Sequence, residues 1–122
     1  LKEGMQIAIE PFITSGPGLV KEKQPATIFM QSANRGVRSP YAKKILESIK
    51  ERNGLPFTTR WITRKFGMGT AKLGLRELMR SGIIHSYPPL VDVSGKRIAQ
   101  FEHSMIVSDK TEVYTRHEDD SW

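Results

Sequence analysis

Cysteine is absent from the 122 residues, which excludes a disulfide framework and a thiolate metal site. Any bound metal must therefore use carboxylate, imidazole or water ligands. Long apolar runs are absent as well, since no segment approaches the roughly 20 residues of a membrane helix, and we expect no membrane partner. The opening Leu1–Gly4 lacks the basic and then apolar pattern of a signal peptide, so a cytoplasmic location is the default expectation.

The residues that are present favour one small, positively charged domain. A length of 122 residues fits a single domain with a modest core. The formal net charge of +6 invites a nucleic-acid or ribosome interpretation, although net charge bears on association and solubility rather than on fold. The chain begins at Leu1 rather than at Met, so we expect a fragment, a processed product or a trimmed chain.

Strand-like sequence lies towards both ends of the chain. Met5–Glu10 and Ala26–Met30 are rich in β-favouring residues. Leu90–Val93 and Ile98–Val107 flank the turn-forming Ser94–Gly95, and this spacing predicts a β-hairpin.

The middle of the chain has helical spacing. Ser39 and Pro40 predict the N-cap and first position of a helix that ends at Asn53–Gly54. A second helix is predicted over Phe57–Phe66, and a third from Thr70 to Ser81–Gly82. The sequence therefore predicts an α+β fold in which three helices separate two β regions.

Two glutamates occupy similar positions in apolar, strand-like runs. Glu10 lies in Ile7–Phe12, and Glu102 lies in Ala99–Val107. A carboxylate within such a run is usually paired, hydrogen-bonded or bound to metal, because burying it alone is costly. The two contexts suggest convergence on one cation, and the alternative is two glutamates on the solvated faces of edge strands.

Several short motifs resemble the C-terminal half of a type II methionine aminopeptidase. They are Glu3–Met5, Ile9–Phe12, Tyr87–Leu90 and Ala99–His103. Val37–Pro40 and Leu55–Phe57 bring the chain closer to the archaeal branch. The resemblance implies half of a pita-bread (creatinase/aminopeptidase) fold, made of residues 1–36 and 87–122, which a helical, winged-helix-like subdomain at residues 37–86 interrupts.

The resemblance also implies a dinuclear metal centre. Members of the family hold two divalent ions (Co, Mn, Fe or Zn) with two aspartates, one histidine and two glutamates. By motif position, Glu10 matches the glutamate that binds one metal and Glu102 the catalytic glutamate that bridges both. The remaining ligands belong to the N-terminal half of the enzyme. Asp92, His85 and His103 match none of them, and alternation along a regular strand points His103 away from Glu102.

Substrate contacts are implied on this half of the enzyme too. Tyr87 matches a tyrosine that lines the methionine pocket, and Phe12 and Pro56 are candidate walls. Core packing is the alternative for Phe12. Asn34 stands where eukaryotic members provide a further imidazole, so it is the candidate for that polar contact. The implied substrates are the N-termini of nascent polypeptides.

The helical segment is strongly basic, which keeps a second interpretation open. A winged-helix reader of nucleic acid also has three helices followed by a short strand, and the ribosome is a related candidate partner. The rival function is therefore a non-catalytic pita-bread or winged-helix binding module. Under the enzyme interpretation, the partner is the N-terminal half, on the same polypeptide or as a second chain, without which we expect no activity. The basic side chains are Lys43, Lys44, Lys50, Arg52, Arg60, Arg64, Lys65, Lys72, Arg76 and Arg80.

Overall fold

The computed structural model describes residues 1–120, which contain three helices and ten short strands. The helices are α1 (Pro40–Lys50), α2 (Thr59–Phe66) and α3 (Met68–Arg80). The strands are β1 (Gln6–Ile9), β2 (Phe12–Thr14), β3 (Val20–Glu22), β4 (Ile28–Gln31), β5 (Phe57–Thr58), β6 (Ile84–Tyr87), β7 (Leu90–Asp92), β8 (Ile98–Gln100), β9 (His103–Ile106) and β10 (Glu112–Val113). No helix within residues 1–120 is long and apolar enough to cross a bilayer.

The α+β class is thus confirmed, and the chain divides into two compact units. One unit contains Leu1–Lys21 and the described residues from Val91 onward, and the other is Glu22–Leu90. The first unit has the sheet β1-β9-β10 and the pair β2-β8, while the second has the sheet β5-β4-β6 and all three helices. The strands β3 and β7 are neighbours at the points where the chain passes from one unit to the other. The predicted division at residues 36 and 87 stays a prediction.

The first predicted helix is confirmed at both ends. The Ser39 hydroxyl accepts a hydrogen bond from the Ala42 amide at 3.4 Å, and Pro40 occupies the first turn, where its missing N–H costs nothing. After Lys50 the backbone becomes left-handed at Asn53 (φ 52°) and Gly54 (φ 84°), which ends the helix as the sequence predicts.

The apolar core of residues 1–120 lies entirely in the Glu22–Leu90 unit. Helices α1 and α3 cross so closely that a Cβ at Gly74 would lie 2.5 Å from Ile45 Cδ1 and 2.9 Å from the Tyr41 carbonyl oxygen. The core side chains are Phe29, Ala42, Ile45, Leu46, Ile49, Phe57, Ile62, Ala71, Leu75, Leu78, Ile83 and Ile84.

Two helix boundaries differ from the sequence prediction. Phe57 was predicted in the second helix but lies in β5, where it pairs with Phe29 of β4 and the two rings stack at 5.9 Å. Tertiary strand pairing therefore overrides the helical spacing of its side chain. The third helix begins at Met68 rather than Thr70, because the single positive φ of Gly67 (80°) is enough to separate α2 from α3.

The predicted hairpin between Leu90–Val93 and Ile98–Val107 is wrong. Strand β7 has β3 as its neighbour, and β8 pairs with β2. The Ser94–Gly95 turn reverses the chain locally, but turn chemistry does not determine which distant strand each arm meets. Each arm of the turn therefore has its own distant partner, β3 for β7 and β2 for β8.

Candidate metal centre

The two glutamates lie opposite each other across an antiparallel ribbon, which consists of residues 6–14 paired with residues 98–106. Ile9 of β1 pairs with His103 of β9, and Phe12 of β2 pairs with Gln100 of β8. Each strand has two residues between these two pairs. The numbers match on both strands, so the pairing continues from one segment to the next without a bulge. Glu10 therefore faces Glu102.

Backbone hydrogen bonds show which kind of pair the glutamates form. The Phe101 amide donates to the Pro11 carbonyl at 3.3 Å, and proline has no N–H to return the bond. Hydrogen-bonded and non-hydrogen-bonded pairs alternate along an antiparallel ladder, so the adjacent Glu10–Glu102 pair is non-hydrogen-bonded. In such pairs the Cα atoms approach to about 4.5 Å and the side chains are closer.

The expectation that both glutamates lie within strands is wrong. Glu10 follows the end of β1, and Glu102 comes just before the start of β9. The physical reason is Pro11, whose missing N–H removes one bond of the ladder between the two strand pairs. Both glutamates are exposed.

Alternation assigns the side chains of the ribbon to two faces. The carboxylate face carries Glu10 and Phe12 on one strand, and Gln100 and Glu102 on the other. The Gln100 Nε2 donates to Glu10 Oε1 at 2.5 Å, which agrees with their sharing this face. On the opposite face, the rings of Phe101 and His103 meet at 5.2 Å.

Gln100 is the residue that sequence reasoning missed. The signal was available, because Gln100 stands two positions before Glu102 and period-two alternation predicts a shared face. The amide fixes one oxygen of Glu10 and leaves the other carboxylate oxygen for a further ligand. Asp92, His85 and His103 do not complete a ligand set, since residues 1–120 contain no group of three acidic, histidine or cysteine side chains arranged to hold a metal.

Asp92 has a structural role instead. Its carboxylate is 1% exposed and accepts bonds from the hydroxyls of Ser94 (2.5 Å) and Thr14 (2.7 Å). The backbone amides of Ser94 (2.8 Å) and Lys96 (3.3 Å) also donate to it. The Ser94 hydroxyl, followed by that of Thr14, lowers the pKa of Asp92 from 3.8 to about 2. A Cβ at Gly16 would overlap this carboxylate, so the turn requires glycine.

The predicted substrate-binding residues fall in different units. Phe12 lies in the ribbon with Glu10 and is 42% exposed, so it is outside the core of the described residues. Tyr87, in β6, is also 42% exposed, and its hydroxyl donates to the Met30 sulfur at 3.7 Å. Pro56 and Asn34, like Tyr87, belong to the Glu22–Leu90 unit and are exposed.

Comparison with known proteins confirms the resemblance to methionine aminopeptidases. The chain is 52% identical over 108 residues to a methionine aminopeptidase of Thermococcus onnurineus, and 45% identical over 108 residues to that of Thermococcus kodakarensis. These alignments cover 88% of this chain. A methionine aminopeptidase 2 of Uncinocarpus reesii is 37% identical over 98% of the chain.

The chain spans only part of these relatives. It covers about 37% of the two Thermococcus proteins and 27% of the Uncinocarpus protein. No family model matches the chain. A solved structure of a thermophilic Arx1 superposes on 88% of the chain with a TM-score of 0.74 at 22% identity, and 29% of that protein is covered. This similarity establishes a shared fold.

Proposed function

We propose that this chain supplies the C-terminal half of the active site of a dinuclear metal aminopeptidase that removes the initiator methionine from nascent polypeptides in the cytoplasm. The observation that carries the proposal is the close-approach pair of Glu10 and Glu102, which the shared register brings together from motifs far apart in sequence. The relatives named methionine aminopeptidase give the reaction class.

The chemistry of the carboxylate face fits divalent cations. Two like charges directly opposite each other destabilise a sheet, and a cation between them turns this repulsion into attraction. Carboxylate oxygens are ligands for Mn, Fe, Co and Zn alike. When bound, the ions would polarise the scissile carbonyl and lower the pKa of a bound water.

The two carboxylates form an incomplete ligand set by themselves. Within residues 1–120 no third acidic or histidine ligand joins them. The proposal therefore assigns the remaining ligands to the part of the enzyme that lies outside the aligned region of the relatives. It also explains why this chain alone should be inactive, because a catalytic metal site needs its full ligand count and supporting hydrogen bonds.

Each candidate site residue has a separate role. Glu10 would hold one metal ion, with Gln100 fixing the orientation of its carboxylate, and Glu102 would serve as the ligand shared by both ions. Phe12 is on the same face as the carboxylates and would line the pocket beside them. Tyr87 would bind the methionine side chain, with Pro56 as a further wall; Asn34 is the proposed polar contact.

A second candidate function is nucleic-acid or ribosome binding by the helical unit, including its winged-helix interpretation. Nine of its ten predicted basic side chains are exposed, which favours this idea. Several are, however, engaged locally. Arg52 stacks on the Trp61 ring at 4.3 Å, and Lys65 pairs with Glu51 at 3.6 Å. Arg80 likewise pairs with a glutamate one helical turn earlier, at 3.2 Å. We therefore rank this function second.

The experiment combines the purified chain with the complementing part, defined as the region of the Thermococcus onnurineus enzyme that the 108-residue alignment leaves out. Release of methionine from a Met-Ala-Ser peptide is measured, together with bound metal by mass spectrometry. We expect turnover only from the mixture. Glu10→Gln and Glu102→Gln should abolish it, while the exposed Glu112→Gln should not. Turnover that survives both active-site substitutions would overturn the proposal.

A further inference from the structure

Asn53 and Gly54 lie in the loop between α1 and β5, and both residues are exposed. On one side of their shared peptide group, the Asn53 amide donates to the Lys50 carbonyl at 3.1 Å. On the other side, the Leu55 amide donates to the Arg52 carbonyl at 3.0 Å. The Asn53 carbonyl and the Gly54 amide have no hydrogen-bond partner in the described part of the chain, and neither has the Asn53 carboxamide. This peptide group can therefore rotate without breaking a hydrogen bond.

The Gly54 nitrogen is also accessible. Gly54 has φ 84°, and a Cβ at this position would meet nothing within 4 Å, so the space around the nitrogen is open. Asn53 has φ 52°, a left-handed conformation that asparagine adopts more readily than most residues. The Asn53 side chain places its carbonyl carbon Cγ where a bond to the Gly54 nitrogen closes a five-membered ring. The loop thus holds an electrophile and a nucleophile next to each other, and no hydrogen bond restrains either of them.

We propose that Asn53 is a site of spontaneous deamidation in the folded chain. The Gly54 amide nitrogen attacks Asn53 Cγ, and the new N–Cγ bond closes a succinimide ring. The Cγ–Nδ2 bond breaks, and Nδ2 leaves as ammonia with the proton that the Gly54 nitrogen gives up. Water then opens the ring at either carbonyl, which yields aspartate or, with the main chain running through Cβ and Cγ, isoaspartate. The reaction uses only the chain and water.

The product changes the end of α1. Both products carry a negative charge, which is unfavourable near a helix C-terminus. Isoaspartate also adds a methylene to the main chain of a loop that Arg52 holds together. The Arg52 Nε donates to the Pro56 carbonyl at 3.3 Å, and the guanidinium stacks on the Trp61 ring at 4.3 Å. A longer main chain misaligns these contacts, so the isoaspartate form should be less stable than the unmodified chain.

The test incubates the full 122-residue chain at neutral pH and follows each asparagine by peptide mass spectrometry, with electron-transfer fragmentation to separate isoaspartate from aspartate. Asn34 is the internal control, because it is the other asparagine of the sequence, is exposed and precedes Arg35 instead of glycine. We expect Asn53 to react at least tenfold faster than Asn34, and its rate in the folded chain to be at least a tenth of its rate in urea. Equal rates at the two asparagines, or a folded-state rate below that tenth, would overturn the proposal.

Two variants test the roles of the reacting atoms. Gly54→Ala should slow the reaction at Asn53 at least tenfold, because a Cβ shields the nitrogen. Alanine is strained at a positive φ, so Asn53→Gln serves as the second variant; it keeps the amide but would have to close a six-membered ring, and it should release ammonia at least tenfold more slowly. Undiminished reaction in both variants would refute the mechanism.

The effect on α1 is measured on the isoaspartate form, separated from the unmodified chain by ion exchange. Urea unfolding followed by circular dichroism should show a lower midpoint for the isoaspartate form. An equal or higher midpoint would contradict the destabilisation inferred for the loop.

Discussion

Gly74→Ala should destabilise the helical unit, although alanine is the better helix former. The substitution gains about 1 kcal/mol of helix propensity. Against this, the new Cβ would lie 2.5 Å from Ile45 Cδ1 and 2.9 Å from the Tyr41 carbonyl oxygen, both far inside ordinary contact distance. The isoleucine tip can rotate, but the α1 backbone cannot yield without moving the helix. Overpacking of this kind costs about 1–3 kcal/mol.

Gly69→Ala is the matched control, since Gly69 lies in the same helix and a Cβ there would meet nothing within 4 Å. The propensity gain at Gly69, in the first turn of α3, is no larger than the gain at the interior Gly74, so a lower stability of Gly74→Ala isolates the contact with α1. We expect Gly69→Ala to stabilise by up to about 1 kcal/mol and Gly74→Ala to fall about 1–3 kcal/mol below it. Urea unfolding followed by circular dichroism at 222 nm measures both. Equal stabilisation by the two alanines would refute the close crossing of α1 and α3.

Three further predictions concern the ribbon and the substrate pocket. Gln100→Ala should weaken metal binding in the reconstituted enzyme by about 10–100-fold, which is the usual effect of losing a supporting hydrogen bond. Glu102→Gln should weaken metal binding further. A metal titration in which Gln100→Ala has the larger effect would contradict the roles proposed for the two residues. Tyr87→Ala should leave metal content unchanged while weakening substrate binding by about 1–3 kcal/mol, judged from KM. The depressed pKa of Asp92 stabilises the folded chain above pH 3.8, and this contribution should be lost as the pH falls towards 2, whereas Asp92→Asn should unfold without that acid dependence.

Local signals were enough to predict the helices. The cap at Ser39, the left-handed Asn53–Gly54 and the stop at Ser81 act through a few neighbouring residues, and all three predictions are confirmed. Phe57 shows the limit of such signals, because its partner Phe29 is distant in sequence and pairing decides its structure.

Strand partners depend on contacts that a single sequence does not encode locally. Nothing near Asp92 indicates that Thr14, 78 residues earlier, donates to it, yet this bond joins β2 to the last residue of β7. The hairpin prediction failed for the same reason. By contrast, the motifs around Glu10 and Glu102 were enough to group the two residues. The strand register adds that the two residues face each other, which the motifs do not indicate.

The residues proposed to bind metal lower the stability of the ribbon that carries them. Opposed like charges in a non-hydrogen-bonded pair cost up to about 1 kcal/mol, and Pro11 removes a further ladder bond beside them. Neither feature stabilises the strand pairing, and the exposed side chains of Ile9, Ile13 and Phe101 add to the deficit. If the proposed metal site is correct, a cation held by Glu10 and Glu102 would offset the repulsion between the two carboxylates.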